Sequence, residues 1–214
     1  MLRLTVFLLI SLISIKSVAT LIKIDDTGFG LESLTLDTTT NTLWLDISIT
    51  DSFSYNEVND FLNSDPRYST YRFARKEEVF TLFLNAGIVD FSGDFTSLND
   101  NGYNALSSTL GETYQSDVYN FIGGMVYSDT PNASRYILTE CLTTDPVECG
   151  GTLGASYLFA QDNLTKNYNQ AVTGSFLVRK VSEPETLLFF LIPFLTFLGK
   201  NSQRPLNQNR GTER

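Results

Sequence analysis

Two apolar runs, one near each end of the chain, limit which part of this sequence folds as a water-exposed domain. The first run is Leu4–Ile15 and the second is Leu187–Leu198. The stretch between them, residues 20–184, is long enough for one domain with a sizeable core. We therefore predict a single domain at 20–181, bounded on both sides by segments that act as targeting signals.

The N-terminal run predicts a secretory signal peptide. Met1-Leu2-Arg3 is a short basic start, the apolar run follows, and Ser17-Val18-Ala19 is a small-x-small cleavage pattern. Cleavage after Ala19 would remove residues 1–19. The alternative is an uncleaved N-terminal anchor.

The C-terminal run is short for a membrane span. Its twelve residues would form roughly 18 Å of helix against a hydrocarbon core of roughly 30 Å. Pro193 removes one helix hydrogen bond, and Lys200 and Arg204 follow as a basic stop. The pattern is typical of an element that a processing enzyme reads and removes. An ordinary anchor and a buried core helix are the alternatives.

Ser182-Glu183-Pro184, the apolar run and the basic end together resemble a PEP-CTERM sorting signal. The resemblance implies an exosortase-type transpeptidase as partner, a transient stay in the inner membrane, and delivery to the outer surface or matrix of a Gram-negative bacterium that makes exopolysaccharide. The signal would occupy 182–204, followed by a disordered tail at 205–214. The chain departs from the pattern in Ser182, which replaces a proline, in Pro193, and in the extension beyond Arg204.

Charge and composition exclude several kinds of function. Residues 20–184 contain 9 Lys and Arg against 22 Asp and Glu, a formal charge of −13. Such a domain is a poor partner for nucleic acid, whose binding depends on Lys and Arg at phosphates. The chain has no histidine, which removes Ser-His-Asp catalysis and most zinc chemistry. We found no phosphate-binding glycine loop, and we predict no catalytic residue, metal or cofactor.

The two cysteines, Cys141 and Cys149, are predicted to form a disulfide. In an exported chain a close cysteine pair is usually oxidised, and Asp145-Pro146 between them favours a turn. A redox pair is the alternative, although the Cys-x-x-Cys spacing is absent.

The pattern of apolar residues predicts an α+β fold with two helices packed on a small, mainly antiparallel sheet, flanked by hydrophobic helices at both ends. A capping box at Ser54 and Glu57 opens a helix over Ser54–Leu62. Acidic residues and a terminal glycine define another over Arg75–Ala86. Predicted strands, with Trp44 expected in the core, are Leu21–Ile24, Leu31–Leu36, Thr42–Ile47 and a closing strand within Gly174–Arg179 that places Ser175–Val178 in the main sheet.

The segment Leu31–Gly87 resembles one that is common in PEP-CTERM proteins and similar to bacterial C-type-lectin-like modules. The residues that carry this resemblance are Thr42-Leu43-Trp44-Leu45-Asp46, Ser54-Tyr55-Asn56-Glu57-Val58 and Tyr71-Arg72-Phe73-Ala74 before Glu77-Glu78-Val79. It implies a C-type-lectin-like fold, with a long excursion over 89–167 before the closing strand. Within the excursion we expect a short helix at Gly102–Leu110 and short strands at Tyr119–Ile122, Gly124–Tyr127, Tyr136–Leu138 and Tyr157–Phe159.

Some polar residues are candidates for binding. Acids and amides at Asp90, Asp94, Asn99, Asp100 and Asn101 are oxygen ligands of the kind calcium prefers. Their spacing matches no calcium loop, so the alternative is that they are solvated. Arg72 is predicted to pair with Glu78 or Asp46 as a structural salt bridge.

Three functions remain open. The first is an exported, non-enzymatic surface or matrix protein that associates with exopolysaccharide. The second is a periplasmic domain anchored in the inner membrane. The third is an enzyme that cleaves polysaccharide with paired carboxylates, which needs no histidine.

Overall fold

The computed structural model of the chain describes residues 20–92, 96–142, 156–169 and 171–181. Ala19, Cys149, the Ser182-Glu183-Pro184 element, both terminal apolar runs and the tail at 205–214 lie outside these residues. Among the residues described, no helix is both long and apolar enough to cross a membrane.

Five strands form a first, antiparallel sheet, sheet A. Its order is β1-β2-β3-β10-β4. The strands are β1 Leu21–Asp26, β2 Gly30–Asp37, β3 Thr42–Leu45, β4 Arg72–Phe73 and β10 Leu177–Lys180. Asp26 closes the β1–β2 hairpin because its Oδ1 accepts hydrogen bonds from the backbone N–H of Gly28 and Phe29.

A second sheet, sheet B, lies in the predicted excursion. Its strands are β5 Tyr114–Gln115, β6 Tyr119–Val126, β7 Asn132–Cys141, β8 Ser156–Thr165 and β9 Gly174–Ser175. The strands β5 to β8 are antiparallel neighbours, and β9 runs parallel to β6.

Three α-helices occur in the described part of the chain. They are α1 Tyr55–Ser64, α2 Lys76–Ala86 and α3 Asp100–Leu110. Ser54 and Glu57 form the predicted capping box of α1, and Gly87 ends α2 in the left-handed conformation at φ 105°. Short 3-10 helices cover Ile47–Thr50, Pro66–Tyr68 and Ser97–Asn99.

The core lies where sheet A, sheet B, α2 and α3 meet. Trp44 is 2% exposed, and its ring packs edge-on against Phe176 with centroids 6.4 Å apart. Phe176 connects the two sheets, because its N–H donates to Met125 of β6 and its carbonyl accepts from Ala74 beside β4. The predicted burial of Trp44 is therefore confirmed.

The α+β class is confirmed, and the short helix expected at Gly102–Leu110 is present as α3. The prediction of one small sheet is wrong in the described part of the chain, because the strands that follow α3 form a second sheet. The predicted closing strand is two strands, because the chain leaves sheet B at Ser175 and enters sheet A at Leu177. The predicted strand Thr42–Ile47 ends at Leu45, since the Asp46 side chain accepts from Ser48 N–H and starts a 3-10 helix.

Candidate functional site

An exposed groove lined by aromatic rings is the first candidate site. Its volume is ≈ 280 Å³, and we call it the aromatic groove; its lining residues are Phe29, Ile49, Phe53, Phe61, Asp65, Arg67 and Tyr68. They come from the β1–β2 turn, from the 3-10 helix and loop before α1, and from α1 and the 3-10 helix that follows it.

The rings of the groove hold one another in place. Phe53 and Phe61 meet edge-to-face with centroids 5.0 Å apart, and Phe29 meets Tyr68 in the same way at 4.8 Å. Phe61 and Tyr68 stack at 5.7 Å and join these pairs. Such offset and edge-to-face pairs add about 0.5–1.5 kcal/mol each beyond the area they bury, so the groove is already formed in the free domain.

A charged pair forms the polar side of the groove. The Arg67 Nη2 lies 2.6 Å from Asp65 Oδ2, and Nε lies 3.0 Å from the same oxygen. Asp65 Oδ1 also accepts from the Arg67 backbone N–H and caps the 3-10 helix. The hydrogen bonds from the Arg67 guanidinium hold the pKa of the Asp65 carboxyl below its usual range. Both side chains are therefore charged at neutral pH.

A second cleft lies between sheet A and α2. Its volume is ≈ 160 Å³, and it is lined by Thr40, Thr42, Trp44, Glu77, Glu78, Thr81 and Lys180. Lys180 Nζ donates to Thr42 Oγ1 at 2.9 Å and to the Thr40 carbonyl at 3.3 Å.

Arg72 confirms its predicted structural role at the rim of this cleft. Its Nη2 and Nη1 bond to the two Glu78 carboxylate oxygens at 2.6 and 2.7 Å. Trp44 Nε1 is buried and has no hydrogen-bond partner among the described residues. Lys180 and Glu78 are paired within the protein, as Asp65 and Arg67 are, and this cleft is smaller than the aromatic groove and lined by one aromatic ring.

A group of carboxylates gathers at the end of α3 and sheet B. Tyr103 Oη donates to Glu112 Oε1 at 3.1 Å, and Gln115 Nε2 donates to Glu112 Oε2 at 2.6 Å. Burial, and then the charges of Glu112 and Asp100, raise the pKa of the Glu140 carboxyl.

Sequence reasoning missed this carboxylate group. Glu112 and Glu140 are 28 positions apart and come close only because β6 pairs with β7 beside α3. No local spacing signals their proximity.

Two of the five calcium candidates, Asn99 and Asp90, make hydrogen bonds within the protein. The Asn99 side chain accepts from the backbone N–H groups of Val89 and Asp90 and donates to the Asp90 carbonyl. The Asp90 carboxylate accepts from Ser92 N–H. Asp94 lies outside the described residues, and no group of three or more metal-binding side chains occurs among those described. The Asn99 side chain therefore holds the backbone of the segment after α2 in place by hydrogen bonds.

Cys141 is the described member of the predicted disulfide. It is fully buried at the end of β7 and is bonded in a disulfide. Because Cys149 lies outside the described residues, the pairing Cys141–Cys149 stays a prediction.

No family model, curated protein or solved structure matches this chain. The site is therefore assigned from its own geometry. Its best candidate is the aromatic groove, which presents half-exposed rings beside a charged pair.

Proposed function

We propose that this chain is an exported, non-enzymatic protein of the cell surface or extracellular matrix. An exosortase-type transpeptidase sorts it at Ser182-Glu183-Pro184, and its domain associates with exopolysaccharide. The observation that carries the proposal is the division of the chain into two compact units, the first ending at Lys180 and the second beginning at Val181. The sorting element thus lies in the second unit, outside the unit that contains the described domain.

The disulfide at Cys141 supports export. Disulfides persist in oxidising compartments outside the cytosol and are rare inside it. A buried, bonded Cys141 therefore suits a domain that folds after it leaves the cytoplasm.

The chain path supports the proposed C-type-lectin-like character of the domain. After α2 the chain forms α3 and most of sheet B, and then returns to place β10 beside β3. An excursion that begins after two helices and closes with a strand in the first sheet is what the resemblance over Leu31–Gly87 implies.

Replacing both Glu183 and Pro184 with Ala tests the sorting step. The wild type should be shortened and appear in the outer fraction, whereas the double variant should stay full-length in the inner membrane. In this topology Lys200 and Arg204 remain cytoplasmic. Mass spectrometry of the C-terminal peptide in each fraction distinguishes the two forms.

The matched control is the Glu185→Ala, Thr186→Ala double variant, which changes the next two residues and should be sorted like the wild type. If wild type and the Glu183, Pro184 variant fractionate alike and both keep residues 205–214, the C-terminal run is an anchor. The protein is then a periplasmic domain held in the inner membrane.

The carboxylate group favours a second candidate, an enzyme that cleaves polysaccharide. A carboxyl whose pKa is raised beside a second carboxylate is the arrangement that glycoside hydrolysis uses, one as acid and the other as base or nucleophile. Glu140 and Glu112 would have these roles. The test measures the release of sugar from polysaccharide. Release by the wild type that is lost in both Glu140→Gln and Glu112→Gln would support this enzymatic function. If the wild type releases no sugar, the enzymatic function is excluded.

A further inference from the structure

The aromatic groove exposes rings that would otherwise be expected inside the domain. Phe53 is 37% exposed, and Phe29 and Phe61 are half-buried beside it. A contiguous exposed apolar surface, unlike a single exposed ring, is a common mark of a binding site. The groove differs from the core because its rings are packed on one side and open on the other.

Backbone contacts fix the segments that carry the rings. Ser54, next to Phe53, is locked by the capping box of α1, and the Phe29 N–H bonds to Asp26. Tyr68 N–H donates to the Asp65 carbonyl. A ligand would therefore meet a preorganised surface and lose little affinity to the ordering of side chains.

The Asp65–Arg67 pair suits hydroxyl groups. The carboxylate accepts hydrogen bonds, and the guanidinium has five N–H donors in a fixed plane. Nε and Nη2 bond to Asp65, and among the described residues no hydrogen bond of Nη1 occurs. An acceptor and a donor side by side match two neighbouring hydroxyls, each of which both donates and accepts.

Charge decides between a neutral and an anionic ligand. Residues 20–184 carry a formal charge of −13, from 9 basic and 22 acidic residues. Within the groove the charge of Arg67 is balanced by Asp65. The groove therefore has no net positive charge for a phosphate, a uronic acid or an anionic lipid surface, and the domain as a whole repels them.

We propose that the aromatic groove binds a neutral polysaccharide chain. One face of a pyranose ring lies on Phe53, whose ring stands edge-to-face with Phe61, and the sugar hydroxyls bond to Asp65 and Arg67. The ring C–H groups of a sugar with equatorial hydroxyls are apolar and slightly positive, and so they are attracted to the negative face of an aromatic ring.

The size of the groove indicates how the polymer binds. Its ≈ 280 Å³ is just below the about 300–1,000 Å³ of sites that enclose a whole small ligand. A short stretch of a chain that runs across the surface fits such a groove. Affinity per site is then modest, and many displayed copies on one polymer add avidity.

This inference rests on the proposed association with exopolysaccharide and names the class of polymer. The test is native affinity electrophoresis of the folded protein in gels that contain hydroxyethyl cellulose, alginate or no polymer. We expect retardation by the neutral hydroxyethyl cellulose and none by the anionic alginate. Phe53→Ala should reduce the retardation at least tenfold, measured as the polymer concentration for half-retardation, whereas Phe53→Tyr should retain it.

Tyr127→Ala removes a ring that is 52% exposed away from the groove and is the matched control, with wild-type retardation expected. Unchanged circular dichroism spectra, and melting temperatures well above the temperature of the gel, show that the variants are folded. Retardation by alginate, co-sedimentation with phosphatidylglycerol vesicles, absence of retardation, or wild-type behaviour of Phe53→Ala would each overturn the inference. Sorting at Glu183 and Pro184 is measured separately, so failure of the groove leaves the sorting result intact.

Discussion

At the scale of single residues, the Glu78 side chain both pairs with Arg72 and caps the start of α2. Its carboxylate accepts two hydrogen bonds from Arg72 and one from the Arg75 backbone N–H at the start of α2. The Arg72 hydrogen bonds are the main cause of the lowered pKa of Glu78. The residue therefore stabilises the folded domain in its ionised form.

We expect Glu78→Gln to lower the free energy of unfolding by about 1 kcal/mol at pH 7, a value limited by the partial exposure of the pair. Because the folded-state pKa of Glu78 is lowered, its contribution is complete above the unfolded pKa of about 4.3. It is lost as the pH falls through the folded pKa. Urea unfolding at pH 7 and at pH 3 should therefore show a difference between wild type and variant that shrinks in acid.

Glu77→Gln is the matched control for this prediction. Glu77 lies in the same first turn of α2, is exposed, and makes no side-chain hydrogen bond in the described part of the chain. An equal loss of stability in Glu77→Gln would assign the effect to the helix dipole rather than to Arg72.

Glu140 should have the opposite effect on stability. Burial and neighbouring carboxylates raise its pKa, so the ionised side chain is unfavourable in the folded state above the unfolded pKa of about 4.3. Glu140→Gln should therefore raise the melting temperature at pH 7, and the gain should disappear as the pH falls below that value. Asp129→Asn, at an exposed loop acid, should change the melting temperature at neither pH.

The single residues that could be predicted are those whose contacts are local in the sequence. The Ser54–Glu57 capping box spans one helical turn, and Arg72 reaches Glu78 across six positions. Phe29 and Phe61 meet Tyr68 in the aromatic groove, but their approach depends on how the β1–β2 turn packs beside α1. No periodicity encodes that packing.

At the scale of elements, the close approach of α3 to the end of α2 depends on Gly102. A Cβ at position 102 would lie 2.6 Å from Ile88 N and 2.7 Å from Gly87 C, and both are backbone atoms that cannot turn aside. We expect Gly102→Ala to destabilise the domain by about 1–3 kcal/mol, although alanine favours a helix by up to about 1 kcal/mol. Thermal unfolding followed by circular dichroism measures the loss.

Asn104→Ala, at an exposed position of the same helix, is the control and should leave stability unchanged or slightly improved, since it only raises helix propensity. A stabilising Gly102→Ala would mean that α3 and α2 separate easily, contrary to the packing described.

Glycines also explain why element boundaries differed from prediction. Gly123 and Gly124 divide the apolar pattern of β6 and suggest two short strands, but the strand is continuous over Tyr119–Val126. The second glycine is required by packing, because a Cβ at Gly124 would lie 2.7 Å from Ile47 and 2.8 Å from Phe176. In the sequence, a glycine that is required by packing against a residue far along the chain cannot be told from a glycine that ends a strand.

At the scale of the whole molecule, the predicted Cys141–Cys149 disulfide would close a small loop after β7. The chain-entropy model gives roughly 2–3 kcal/mol for a loop of this size. We expect purified protein to show no free thiol when it is labelled under denaturing, non-reducing conditions, and two after reduction. Two free thiols before reduction would contradict the pairing.

The overall architecture was only partly predictable. The α+β class follows from the order of strand and helix patterns, because those patterns are local. The division into two sheets does not, since it depends on the pairing of β5 to β8 with one another and on the chain changing sheets at Phe176. The apolar run Phe176–Val178 would have the same sequence pattern in a single strand and in a segment that passes from one sheet to the other.

The position of β10 makes the completion of sheet A depend on residues 177–180. This strand is the last of the domain, yet it lies between β3 and β4 inside sheet A. Until Lys180 has been synthesised and delivered, β3 has an open edge and Ala74 N–H lacks its acceptor on Phe176. A chain that emerges N-terminus first therefore cannot complete sheet A until residues 177–180 have been made.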